Sequence, residues 1–276
     1  MNKSFIQKIA ALIAVVFVGI SAMSGCKKGG EESEDVNLPE LVIGVDYYAP
    51  VVYHDDDGNF VGLDVELAEK VCKIIGYKPK FVRINWSMKN AVLMRGEIDC
   101  IWCCFTMTGI ENEYDWTEPY MNIRQVVAVK EDSSIGSIDD LNDKRIAVQS
   151  STKPDDVLSG RTGVRMIVPK LKSLNCFTDI SYMFAAINEG YVDAVAGHEL
   201  VLREYMKTSS VKLRILPEAL LDVQVGVAFL KRMHPETIKR INQAFYLLKH
   251  NGYMANLVSS YGLDPNDYVV DYEKTK

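Results

Sequence analysis

The sequence predicts an α/β protein of two lobes joined by two strands. Three observations carry that expectation. Short apolar runs alternate with amphipathic stretches of helical period from Leu41 to Tyr261, the rhythm of mostly parallel sheets covered by helices. The rhythm breaks at Gln125–Lys130 (QVVAVK), resumes, and breaks again at Val223–Leu230 (VQVGVAFL), so the chain leaves one lobe and later returns. A length of 276 residues, 48% hydrophobic and 25% charged, is enough for two moderate cores. The expected boundaries are residues 41–126 plus 226–262 for lobe 1, 130–222 for lobe 2, and 263–276 for a C-terminal tail. The crossings are expected near Val127–Val129 and Val225–Val227.

The first element is a leader. Lys3 and Lys8 precede the apolar run Ile9–Ile20, and Ser24-Gly25 lead into Cys26. A charged start, an apolar stretch of roughly 7–15 residues and small residues at the cut make a secretion signal over residues 1–25. A cysteine just after the cut resembles bacterial lipoproteins, with Met23 in place of the usual leucine, and makes Cys26 the expected lipidation residue. Lys27–Asn37 (KKGGEESEDVN) is polar and acidic, so residues 26–40 read as a tether.

In the body, Leu41–Val45 reads as a strand. Val51–Tyr53 and Phe60–Gly62 flank the turn HDDDGN, whose acids lack the liganding pattern of a calcium loop. Asp64–Ile75 has helical spacing and Gly76 after it. Phe81–Ile84 and Ile98–Phe105 read as strands around a helix at Met88–Arg95. In the second lobe Ser137–Leu141 reads as a short helix capped by Ser137. Strands follow at Arg145–Gln149, Val164–Val168, Val192–Ala196 and Lys212–Leu216, with helices at Ile180–Asn188 and His198–Met206. Pro235–His250 and Tyr253–Tyr261 close the chain as helices. Cys72, Cys100, Cys103, Cys104 and Cys176 read as small buried thiols, because adjacent strand cysteines face opposite ways.

Composition narrows the function. The formal charge is −6, and loss of residues 1–25, which hold two lysines and no acid, leaves a more acidic chain. Nucleic acid is a poor partner for such a protein. No nucleophile–base pair, HExxH or metal cluster is apparent, and His54, His198, His234 and His250 are scattered. No cofactor, metal or catalytic residue is expected.

The order LVIGVDYYAPVVY, NFVGLDVELAEKVCKIIG, NAVLMRGEIDCIW, YDWTEPYM, DDLNDKRIAVQSST and AAINEGYVDAVAG resembles the family 3 extracellular solute-binding proteins over nearly all of Leu41–Leu263. These are polar amino-acid receptors of ABC importers. The resemblance implies a two-lobed type II periplasmic-binding-protein fold with two hinge crossings and a cleft between the lobes. The cleft would be lined by Asp46, Tyr47 and Tyr48 after the first strand, by Trp86, by Cys103, Cys104 and Thr106, and by Ser151, Thr152, Lys153 and His198 from the second lobe. Partners would be a small-molecule ligand, the importer's permease, and the membrane through the lipid, with the protein a monomer on the extracytoplasmic side.

Two departures from the family pattern concern charge. The arginine that clamps a ligand carboxylate, two or three residues after the threonine matching Thr108, is replaced in TGIEN by Ile110 or Glu111. The acid that binds a ligand ammonium is replaced in VDAVAGH by His198. Common α-amino acids are therefore expected to bind weakly. Three ligand readings stay open. Lys153 and the Ser151–Lys153 amides could hold an anion at a helix N-terminus. Tyr47, Tyr48, Trp86 and Trp102 could hold a cation or a neutral ring. Or the cleft has lost its ligand. Each has a plainer reading: Trp102 and Trp86 as core, Lys153 and Glu111 as solvated, His198 as a cap or surface histidine. A sensory binding protein without transport is the second function class, and an enzyme like cyclohexadienyl dehydratase the third.

Overall fold

The structure, a computed structural model, describes residues 38–161 and 169–270. The expected leader, Cys26, nearly all of the tether, the expected strand Val164–Val168 and the end of the tail lie outside the described residues.

The first lobe is built on strands β1 (Glu40–Val45), β2 (Tyr53–His54), β3 (Phe60–Val61), β4 (Lys78–Arg83), β5 (Cys100–Ile101) and β6 (Asp115–Trp116). Its main sheet has the order β4-β1-β5-β13-β6, the fourth member, β13 (Ala228–Phe229), being contributed by the returning chain. β1 runs parallel to β4 and to β5, and its burial pattern is nearly continuous, as a strand covered on both faces requires. Helix α1 (Leu63–Ile75) covers it with Leu67, Val71 and Ile75 turned inward, and Gly76 ends it in the left-handed conformation. Gly62 before this helix has φ +126°, and a Cβ there would stand 2.4 Å from the Val51 carbonyl oxygen, so only glycine fits. A 3₁₀ turn, Trp86–Met88, leads into helix α2 (Lys89–Met94).

The second lobe begins with β7 (Met121–Lys130), followed by β8 (Arg145–Gln149), helix α3 (Lys153–Leu158), β9 (Ser173–Phe177), α4 (Ile180–Asn188), β10 (Ala194–His198), α5 (Glu199–Thr208), β11 (Leu213–Ile215) and β12 (Leu221–Val225). The sheet order is β11-β7-β10-β8-β9, with β12 also paired to β7. The chain then returns through β13 (Ala228–Phe229) to helices α6 (Pro235–His250), α7 (Tyr253–Ser260) and α8 (Pro265–Tyr268).

The two crossing strands form one antiparallel ladder, Met121–Gln125 against Val225–Leu221. Val127–Val129, expected at the first crossing, instead pair with Ala196–Ala194 inside the second sheet.

Two apolar runs are shorter as strands than their composition suggests, and one expected helix is shorter too. Ile98–Phe105 is a strand over Cys100–Ile101 alone, because Cys104 turns to φ +50°. Val223–Leu230 is cut at Gly226, whose N–H reaches the Phe105 carbonyl, and Val227 N–H is taken by the Thr117 hydroxyl. Ser137–Leu141 narrows to a 3₁₀ turn at Asp139–Leu141; Ser137 does not cap it but bonds Asp140. Part of the expected tail folds as α8, and Val269 forms a bridge with Met121 at the crossing.

Trp102 is core. It is 1% exposed and packs with Tyr120 and Phe245 at ring separations of 6.2 and 5.7 Å. Among the cysteines, Cys72, Cys100, Cys103 and Cys104 are buried free thiols, but Cys176 is exposed, on the outer strand β9.

Candidate functional site

In open α/β sheets ligands sit beyond the carboxyl ends of strands. Here the ends of β1 and β5 in one lobe face the ends of β8 and β10 in the other. A cleft of about 450 Å³ lies between them.

Two backbone features mark the cleft. Cys104 (φ +50°) and Ser151 (φ +61°) are non-glycine residues in the left-handed region, one from each lobe. Such residues cost on the order of 1–3 kcal/mol and persist where surrounding groups fix them. A buried carboxylate fixes each. Cys104 N–H donates to Asp64 Oδ2 at 2.6 Å, and Ser151 N–H donates to Asp155 Oδ2 at 2.9 Å. Asp64 also accepts the Tyr120 hydroxyl at 2.8 Å, while its Oδ1 has no partner. Burial pushes the Asp64 carboxyl up to about 7.

The lobes touch across the cleft. Ser151 carbonyl oxygen accepts Trp86 Nε1–H at 3.2 Å and Lys89 Nζ at 3.0 Å. Gln149 Nε2 donates to Asp46 Oδ2 at 2.8 Å, and Arg83 reaches Asp179 at 3.6 Å. Tyr48 stands edge-on to His198 with ring centres 5.3 Å apart.

Charge is distributed unevenly along the wall. Asp46 is occupied by Gln149, the Tyr47 N–H and Arg83, and burial raises its carboxyl above the usual range. Asp156 is paired with Arg161, which also holds Asp155 at 2.8 Å. Lys89 lies against the faces of Trp86 and Phe105, 5.0 and 5.7 Å from their centres, and burial draws its ammonium down to about 8. Lys153 is 5% exposed and makes no ion pair or hydrogen bond with the described residues. His198 is buried, burial takes its ring down to about 3, and Nδ1 has no partner. It is therefore neutral and supplies no charge.

Of the residues singled out in the sequence, Asp46, Tyr48, Trp86, Cys103, Cys104, Thr106, Ser151, Thr152, Lys153 and His198 line the cleft. Two do not. Tyr47 is 42% exposed and packs on Arg83 and His54. Glu111 is exposed and closes a turn by accepting the Gly109 N–H, while Ile110 lines the cleft. The expected anion seat at a helix N-terminus changes too. Helix α3 has six residues, and the Ser151 N–H is already taken by Asp155. Glu199, beside His198, faces away and pairs with Arg124 and Arg203.

Sequence reasoning missed Lys89, Asn90, Phe105, Tyr114, Gln149 and Arg161 on the cleft wall. A signal existed for Lys89 and Asn90, which directly follow the aromatic turn at Trp86. Arg161 carried none, since its place depends on Asp155 and Asp156 folding back.

Residues 41–264 match the profile of the bacterial extracellular solute-binding proteins, family 3. The chain is 27% identical over 267 residues to the probable amino-acid-binding protein YxeM of Bacillus subtilis (strain 168), covering 95% of each. It is 26% identical to the L-cystine-binding protein TcyA of the same organism, covering 91% of this chain and 96% of that one. A crystal structure of the substrate binding protein of an amino acid ABC transporter matches with a TM-score of 0.72 and 26% identity, over 80% of this chain and 98% of that chain.

Proposed function

The chain belongs to the bacterial extracellular solute-binding proteins, family 3, and we propose that it captures a small carboxylate-bearing solute between its lobes for an ABC importer, anchored on the extracytoplasmic side of the cell membrane through a lipid on Cys26. The observation that carries the ligand reading is Lys153, whose stem is buried in the cleft wall and whose ammonium has no ion-pair or hydrogen-bond partner among the described residues. Closing the cleft on a ligand takes that ammonium out of water, and a carboxylate on the ligand then supplies the countercharge. The competing reading, a cationic ligand on the aromatic wall, is disfavoured because Lys89 already stands on Trp86 and Phe105. The neutral His198 gives an α-ammonium no countercharge, so organic acids should bind better than the corresponding neutral α-amino acids.

Ligand entering the open form would be enclosed as the lobes close on the Met121–Gln125 and Leu221–Val225 ladder, the closed state being favoured because it binds better. Among the described residues no helix is long and apolar enough to cross a membrane, so attachment would fall to the lipid.

Two measurements test this. Butyrate and glutarate should raise the melting temperature of the purified protein, and putrescine, which has no carboxylate, should not. Stabilisation by putrescine without any response to carboxylates would overturn the ligand reading. For anchoring, Cys26→Ser should move the protein from the membrane fraction to the soluble fraction, since two acyl chains give stable attachment where one is marginal. A variant that remains membrane-bound at unchanged mass would refute the lipid assignment.

A further inference from the structure

We propose that Lys89 is a built-in cation that sets the specificity of the cleft, excluding ligands with a cationic side chain and selecting those with a second carboxylate. The inference rests on the carboxylate reading above and adds a second ligand group to it.

Lys89 opens helix α2, one turn after Trp86, and its side chain is buried rather than snorkelling to water. Its ammonium occupies the space over Trp86 and Phe105, where a cationic ligand would otherwise gain its attraction to the rings. A second cation there would meet like charge at close range. Lys89 has three N–H donors, and the Ser151 carbonyl takes one. The other donors face a cleft in which the nearby carboxylates are already engaged or exposed. Asp46 is held by Gln149 and Arg83, and Asp156 by Arg161. Glu113 is exposed. Lys89 and Lys153 therefore bring two ammonium groups to one cavity, neither of them in an ion pair with the described residues. A short dicarboxylate satisfies both, and a monocarboxylate leaves one buried charge uncompensated.

The contact also spans the lobes, since Lys89 comes from the first and Ser151 from the second. An acid bound beside Lys89 lies at the seam that closes.

The groups facing Lys89 are Glu113 from the loop before β6, Asp155, Asp156 and Lys153 from α3, and Arg161 beyond it; the first three favour its charged form, and burial opposes it. As pH rises above about 8 the ammonium loses its proton, and pairing with a second carboxylate is lost.

The test is calorimetric titration of the full-length wild type, Lys89→Met and Lys89→Arg with glutarate, butyrate and arginine. Wild type should prefer glutarate to butyrate by about 10–100-fold, and Lys89→Met should bring the two within about 3-fold by weakening glutarate binding far more than butyrate binding. Lys89→Arg should keep the preference, and at pH 9 it should retain glutarate affinity that wild type loses. Arginine should bind Lys89→Met more tightly than wild type. Circular dichroism and the butyrate response report whether each variant is folded. A glutarate preference that survives in Lys89→Met overturns this inference and leaves the carboxylate reading standing. Failure of folded wild type to bind either acid overturns both.

Discussion

Replacing Lys153 by methionine is expected to weaken carboxylate binding by about 100-fold or more while leaving the ligand-free melting temperature nearly unchanged. Both outcomes follow from where its ammonium lies. Lys153 is 5% exposed on the cleft wall and has no ion-pair or hydrogen-bond partner among the described residues. Its stem packs into the wall while the ammonium keeps water at the cleft surface, and methionine fills nearly the same volume as the stem without the charge. In the complex the same charge faces the ligand carboxylate. Removing one partner of a buried pair costs on the order of 3–5 kcal/mol, which is about 10²–10⁴ in affinity. A loss of affinity at unchanged stability is the signature of a residue used for binding and not for folding. Calorimetry with butyrate and a ligand-free thermal scan give both readings. Unchanged affinity in the methionine variant would remove Lys153 from the site. A fall in the ligand-free melting temperature would mean that its side chain is holding the fold.

What could be read from the sequence was the part fixed by local pattern. Pro235–His250 and Ile180–Asn188 have a clear helical period and a stop signal, and their predicted bounds match the structure. The two-lobed plan followed from the broken rhythm at Gln125 and Val223, and it is the crossing ladder between β7 and β12 that joins the sheets. The misread segments are those where a distant residue decides. Ile98–Phe105 is apolar throughout, yet the strand ends early because Asp64, 40 residues upstream, takes the Cys104 N–H. Val223–Leu230 is likewise cut by contacts to Phe105 and Thr117. The same holds for the cleft. Residues at strand ends were visible because strand ends are where such sites form. Lys89 was marked only by its place after Trp86, because a lysine in a helix is usually solvated and only the closed lobes bring Ser151 over it. Glu111 stood at the family's clamp position in sequence, but the Gly109 turn directs it outward.

The stability of wild type relative to Asp64→Asn should increase by roughly 3 kcal/mol between pH 8 and pH 5, about 6–12 °C in Tm. Asp64 lies in the first turn of α1, 1% exposed, and burial raises its carboxyl from 3.8 to about 7 against the bonds from Tyr120 and Cys104. Between those two values the folded protein holds a proton that the unfolded chain has released. Stability from this group is therefore full below pH 3.8 and is lost as pH rises through 7. His198 acts in the opposite sense. Burial lowers it from 6.5 to about 3, so the unfolded chain takes up a proton as pH falls below 6.5, and stability declines. The two partly cancel in wild type, which is why the comparison with Asp64→Asn, and not the wild-type profile alone, isolates the carboxyl. Asparagine keeps an oxygen to accept from Cys104 and Tyr120 and places its amide where Oδ1 already lacks a partner. The left-handed turn at Cys104 can then survive the change, and with it the floor of the cleft. Denaturant melts of both proteins at pH 5, 6, 7 and 8 give the difference directly. A difference that stays constant with pH would show that Asp64 is ionised throughout, held by its two donors strongly enough to overcome burial.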